Sequence, residues 1–135
     1  MNSTTHPGRW LLLGMLSTFL TACGSGAPAG DPLRGKDLFV QCSGCHQLQE
    51  NSSTGPKHCG LIGRPAGSVP GFDYSEAMKT SELTWDEKTL DEFLTMPYAY
   101  VTGTKMGFAG IGNATDRADV IAYLRQVGAD PALCP

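Results

Sequence analysis

A chain of 135 residues with 41% hydrophobic content is long enough for one compact domain and too short for two conventional ones. Its formal charge of −3 and pI near 5.5 offer no clustered excess of Lys and Arg for phosphate, so nucleic acid is not an expected partner. Seventeen Gly and nine Pro exceed what a plain helical bundle needs, and much of the domain is expected to be turn-rich loop.

The chain opens with Arg9, the apolar run Trp10 to Leu20, and then Thr21-Ala22-Cys23-Gly24. That run is short for a membrane span and ends in small residues, which is the form of a secretory signal. Leu20-Thr21-Ala22-Cys23 also resembles a bacterial lipobox, which implies diacylglycerol transfer to the Cys23 thiol and cleavage before it. Residues 1–22 are therefore expected to be a lipoprotein signal peptide; an ordinary cleavable signal and an uncleaved anchor are the other readings. Several acyl chains make a stable tether where one alone is marginal. Gly24, standing where an Asp is associated with inner-membrane retention in some enteric bacteria, leans toward the outer membrane. Residues 23–30, rich in Gly, Ala and Ser, cannot build a core and are expected to be a flexible tether. Loss of the leader leaves nine Lys and Arg against thirteen Asp and Glu, a formal charge of −4.

The domain proper is expected to span residues 31–135. Asp31-Pro32 offers an N-cap followed by Pro at the first helical position, and Leu33, Lys36, Phe39 and Val40 recur at helical spacing. This first helix runs into Cys42-Ser43-Gly44-Cys45-His46, a C-x-x-C-H run of the kind that attaches a c-type haem. Two thiols three residues apart on a helical turn can reach the two vinyl groups of one haem edge, and the adjacent imidazole then points at the iron. A thioredoxin-like dithiol would need strand–helix alternation that is not seen here. A zinc site would need a second ligand pair, for which His58 with Cys59 is only a partial candidate.

Further along, Thr84-Trp85-Asp86-Glu87 has the form of a capping box ahead of Leu90, Phe93 and Leu94, with Pro97 as the stop. An iron held by His46 needs a sixth ligand, and a Met thioether raises the potential and closes the site. Met106 lies in a glycine-rich loop, Gly103 to Gly110, that can deliver a ligand across the haem. Met78 and Met96 lie in helix-compatible stretches where Met is usually core filler. The last helix is expected from about Asn113 to Val127, with Val120, Ile121, Leu124 and Val127 on one face and Gly128 as its stop. Cys59 and Cys134 are left over after haem and lipid. An oxidising envelope favours a disulfide between them, which would pin the tail to the loop after the haem motif; two separate thiols are the alternative.

From about Asp31 to Gly128 these motifs, in this order, resemble the mitochondrial-type class I cytochromes c and their bacterial relatives. The matching stretches are Cys42 to His46, Thr54-Gly55-Pro56, Gly60 to Arg64, Gly71 to Ser75, Leu83-Thr84-Trp85, Gly103 to Met106 with Phe108 to Ile111, and Arg117 to Leu124. The resemblance implies an all-α class I cytochrome c fold of three to five helices, with long loops wrapping one covalent haem c. It implies Met106 as distal ligand and a hydrogen bond from the His46 ring to the Pro56 carbonyl, which fixes the ring. It implies Arg64, Tyr74, Trp85 and Thr104 around the haem propionates, and a close crossing of the first and last helices permitted by Gly35 near Phe39, Val120 and Tyr123.

The chain departs from those relatives in three places. Phe93 replaces the usual Tyr near the Met ligand and Met78 the usual Asn, so two hydrogen-bonding groups are missing from the distal pocket. Tyr98 and Ala99 stand where Lys is usual, so a positive docking ring is lost. The expected function is one-electron transfer between redox partner proteins at the membrane, by a monomer on the periplasmic face. A haem peroxidase or gas sensor would need an open distal position, and a docked electron-entry subunit an exposed apolar patch.

Overall fold

A computed structural model describes residues 1–2 and 29–135. Residues 3–28, which hold the apolar run, Cys23 and the tether as far as Pro28, lie outside the described residues.

Asp31 begins the first helix as anticipated: its carboxylate accepts the amides of Leu33 and Arg34, and Pro32 occupies the first turn of α1 (Pro32–Leu38). Phe39 keeps right-handed helical angles, so the chain passes almost without a break into α2 (Val40–Ser43). The amides of Cys45 and His46 then donate to the Cys42 carbonyl at 3.0 and 2.9 Å, which extends the coil through the C-x-x-C-H run. A single turn, α3 (Glu76–Lys79), is capped by Ser75. The longer α4 (Glu87–Thr95) is followed by the one-turn α5 (Pro97–Tyr100) and by the 16-residue α6 (Ala114–Ala129), capped by Asn113.

Among the described residues six helical segments thus stand where three to five were expected, three of them only four residues long. Two boundaries need correcting. The cap of α4 is Asp86, whose carboxylate accepts the Thr89 amide while Thr89 Oγ1 accepts the Asp86 amide; Thr84 and Glu87 do not form the box. A cap needs its side chain one residue before the helix, and α4 begins at Glu87, three residues beyond Thr84. Likewise α6 runs through Gly128 to Ala129 with Asp130 as cap, since the Gly128 conformation stays helical. Pro97, taken as a stop, also starts α5 and is among the most deeply buried side chains.

The core is built where α1 and α6 cross. Phe39, Leu61, Trp85, Leu90, Phe93, Leu94, Val120, Ile121 and Leu124 bury together, with Cys42, Tyr74 and Met106 packed partly against them. Met78 is buried core as expected, but Met96, at the C-terminal end of α4 beside the buried Pro97, is 56% exposed. The long loops are stitched rather than free. Residues 63–66 lie antiparallel to 83–85 through Gly63 N to Trp85 O at 2.7 Å, Trp85 N to Arg64 O at 3.0 Å and Ala66 N to Leu83 O at 2.8 Å. Among the described residues no helix is long and apolar enough to cross a membrane.

Candidate haem site

The end of α2 presents Cys42 half-buried and Cys45 exposed, neither of them in a disulfide. Burial, and secondarily the neighbouring Cys45, push the Cys42 thiol up to about 11. The next side chain, His46, is held on several sides. Its Nδ1 lies 2.9 Å from the Pro56 carbonyl oxygen, so the ring N–H donates there and Nε2 is left unprotonated as a ligand atom. At Gly55 a Cβ would stand 2.7 Å from Nδ1 and 2.8 Å from Cε1 of that ring, so only glycine leaves room for it. Thr54 and Ser52 turn their hydroxyls onto the Cys45 carbonyl, tying this loop to the end of α2.

A further imidazole stands beside it. The His58 ring lies 4.4 Å from that of His46 and is tilted by only 14°. Its Nδ1 is buried without a hydrogen-bond partner, and burial, with His46 and Arg64 adding to the effect, drives its pKa down to about 3. From the sequence this residue stands out only as a partial zinc ligand with Cys59. Cys59 is instead bonded to Cys134, with Cα atoms 5.3 Å apart, and so is not available to a metal. Nothing in the local sequence pattern says that the loop after Pro56 folds back onto His46.

Arg64 donates to the carbonyls of Cys59 and Lys57, each at 2.9 Å, and burial depresses its pKa. Tyr74 packs edge-on to Phe72 at 4.8 Å, and burial raises its phenol pKa. Trp85 is buried against Phe93 at 5.0 Å. Met106 arrives on the loop after α5. Thr104 Oγ1 accepts the Met106 amide at 3.3 Å, and Lys105 pairs with Asp73 at 2.6 Å. Beyond it, Ile111 N donates to Leu94 O at 2.7 Å, and Arg117 grips the Ile111 and Gly112 carbonyls at 2.9 and 3.2 Å. The structure thus gathers Cys42, Cys45, His46, Gly55, Pro56 and His58 at one place, and sets Cys42, Tyr74, Trp85 and Met106 on or against one core.

Two thiols on one turn, an imidazole with a free Nε2 in a cradle that admits no Cβ, and a loop-borne thioether form a donor set that fits a covalently attached haem. Among the described residues every regular element is a helix, and a helical domain that carries such a donor set is the form of a class I c-type haem protein. The cytochrome c family model matches residues 33–128. The chain is 49% identical over 114 residues to cytochrome c2 of Rhodomicrobium vannielii, covering 83% of this chain and 91% of that one. It is 41% identical over 122 residues to cytochrome c-554 of Methylosinus trichosporium, covering 89% and 92%. Cytochrome cH from Methylobacterium extorquens superposes with a TM-score of 0.70 at 40% identity, over 72% of this chain and 99% of that one.

The chain belongs to the cytochrome c family. It has the class I cytochrome c fold, carries one covalent c-type haem and is an electron carrier rather than an enzyme.

Proposed function

We propose that this protein is a membrane-tethered one-electron carrier on the periplasmic face, with its haem bound by thioethers to Cys42 and Cys45 and ligated by His46 and Met106. The observation that carries the ligand assignment is the His46–Pro56 contact at 2.9 Å, which leaves Nε2 free within a cradle that only glycine permits. A haem c held there supplies reversible Fe(III)/Fe(II) chemistry, and this chain's residues keep its surroundings constant. Pro56 fixes the tautomer of His46 and anchors one edge of its ring. Met106, on a loop pinned by Lys105–Asp73 and by Arg117, closes the distal side against exogenous ligands. Buried Met78 and Phe93 contribute no hydrogen-bonding oxygen to that side, which keeps it drier and so lowers the polar reorganisation that accompanies electron transfer. Arg64, Tyr74, Trp85 and Thr104 are assigned to the propionates. Arg64 would have to share donors now given to Lys57 and Cys59.

The membrane tether is proposed through lipid on Cys23, with residues 1–22 removed and Gly24 leaning toward the outer membrane. Gly30 is seated against α6, where a Cβ would collide with the Ala118 carbonyl, and Asp31 N donates to Asp119 at 2.7 Å. Seven residues from Cys23 to Gly30 reach at most about 25 Å at ~3.5 Å each, so the domain stays close to the bilayer and its partners meet it at high local concentration. Docking onto redox partner proteins is proposed to rest on apolar contact, where Met96, Tyr98 and Tyr100 are exposed beside the Met106 loop, rather than on a lysine ring. The disulfide Cys59–Cys134 is proposed to form in the same oxidising compartment.

The experiment is the optical spectrum of the purified mature protein in both redox states, followed through the near-infrared sulfur-to-iron band and a carbon monoxide challenge. A low-spin c-type spectrum with that band and no response to carbon monoxide is expected, and Met106→Ala should abolish the band and admit carbon monoxide. High-spin iron in the unaltered protein would point to a haem peroxidase or gas sensor instead. Mass analysis of the amino terminus, and release of the protein from membranes by Cys23→Ser, test the tether.

A further inference from the structure

We propose that His58 is a positioning residue for His46: its ring, stacked on the His46 ring, sets the plane in which that imidazole meets the haem iron. The inference rests on His46 being the iron ligand.

The main chain at His58 is over-determined. Its amide donates to the carbonyls of Gln47 and Leu48 at 3.0 and 3.1 Å, and its carbonyl accepts from Leu61 N at 2.9 Å. The carbonyls on either side, Lys57 and Cys59, are both gripped by the Arg64 guanidinium at 2.9 Å. The Cys59 amide donates to Leu48 O at 2.7 Å, and the Cys59 side chain is tied to Cys134 beyond α6. A ring carried on such a backbone has little freedom to drift.

That ring is placed with equal definition. It lies face to face with His46, with centroids 4.4 Å apart and planes 14° apart, while Phe39 meets it edge-on at 5.5 Å and 63°. Its Nδ1 is buried without a hydrogen bond. An orphaned buried nitrogen is a cost that a leucine or phenylalanine would avoid, so packing alone does not account for an imidazole here. What the His58 ring gains is a flat surface against the flat surface of His46. Pro56 fixes one edge of the His46 ring, and Gly55 leaves no space beside Nδ1 and Cε1. Those contacts set where the ring sits; a parallel plane against its face sets how it is turned about the bond to its own backbone.

The plane of an axial imidazole has a spectroscopic signature. In low-spin ferric haem it helps to decide, together with the orientation of the second ligand's lone pair, which of two iron d orbitals holds the unpaired electron, and hence how spin density is shared among the pyrrole rings. Proton NMR of the ferric protein reads this as the order and spread of the four haem-methyl resonances, and electron paramagnetic resonance reads it as the g-values.

The test compares ferric holoprotein carrying His58, His58→Phe and His58→Leu. Leucine fills similar space without a plane, and it should reorder the methyl resonances and shift the g-values while the optical spectrum stays low-spin. Phenylalanine keeps the plane and should largely restore the unaltered pattern. Should the leucine variant fail to accumulate as holoprotein, His58→Met takes its place as the non-planar variant. Methyl order and g-values unchanged in the non-planar variant would overturn the proposal, as would equal disturbance by phenylalanine and leucine. Failure of the underlying ligand assignment shows itself separately, as a spectrum of the unaltered protein that lacks low-spin imidazole ligation.

Discussion

Gly35 on α1 packs directly against the main chain of Asp119 on α6, so closely that a Cβ at Gly35 would collide with the Asp119 carbonyl oxygen and stand 3.0 Å from Tyr123 Cβ. The crossing that carries the Cys42–His46 turn is therefore set by backbone contact, which no rotamer change can relieve. Gly35→Ala must push the helices apart, at a cost of about 1–3 kcal/mol for overpacking. At roughly 4–8 °C per kcal/mol for a domain of this size, Tm of the holoprotein should fall by at least about 4 °C. An unchanged thermal melt would mean that the helices separate freely.

The bond between Cys59 and Cys134 closes a loop across a sequence separation of 75 and holds the tail to the segment next to His58. Loop closure of that length restricts the unfolded chain by roughly 4 kcal/mol in the entropic account, and measured losses usually run at about 2–4. Cys59→Ser with Cys134→Ser should lower unfolding stability by about 2–4 kcal/mol in guanidinium while holoprotein and low-spin spectrum persist. Added reductant should bring the unaltered protein to the same midpoint and leave the double variant where it is. Two alkylatable thiols in the native protein would sink the bridge.

Asp119 is buried, and its carboxylate accepts the Asp31 amide at 2.7 Å and pairs with Arg34. The Asp31 amide first, and Arg34 after it, hold its pKa below the ordinary value of 3.8. A carboxylate depressed on folding stabilises the fold fully above its unfolded value and loses that contribution as pH falls through the folded one. Stability should therefore decline on the acid side, beginning near pH 4 and continuing below it. Asp119→Asn should be less stable at neutral pH and show a shallower acid slope, measured by chemical unfolding at a series of pH values. A slope identical in both proteins would place the acid sensitivity elsewhere.

Local signals made the helices legible: Asp31-Pro32 and Asn113 cap where their side chains announce it, and Val120, Ile121, Leu124 and Val127 bury on one face of α6. The capping box fell two residues later than its sequence pattern: Thr84-x-x-Glu87 matches the preferred residue types, but the helix starts at Glu87, so Asp86 and Thr89 hold the capping positions. The C-x-x-C-H turn was plain because its chemistry is contiguous. The contacts of His46 with Gly55 and His58 were not, because they depend on how a loop returns over ten residues, and loop paths leave no periodicity. The Arg64 fork around Lys57 and Cys59 was hidden for the same reason: its acceptors are carbonyls, which every residue has.

Arg117 couples the helical frame to the loop that brings Met106. It is 8% exposed, its Nε donates to Asp91 on α4 at 2.7 Å, and one terminal nitrogen donates to the carbonyls of Ile111 and Gly112. That segment begins five residues after Met106 and is stitched to α4 by Ile111 N on Leu94 O at 2.7 Å. Arg117→Met keeps the buried stem and removes the fork, stranding two carbonyls and leaving Asp91, 43% exposed, to rehydrate. The exposure of Asp91 brings the loss below that of a fully buried broken pair, to roughly 2–3 kcal/mol. Because the lost bonds hold the distal loop, the effect should be local before it is global. The near-infrared sulfur-to-iron band should disappear on warming well below the temperature at which helical circular dichroism melts, and the ferrous protein should begin to bind carbon monoxide. Arg117→Lys, which keeps the charge but not the planar fork, should recover only part of the gap. If band loss and helix melting stay coincident in the Met variant, the Met106 loop is held by its own contacts at Thr104 and Lys105, and Arg117 serves the α4–α6 packing alone.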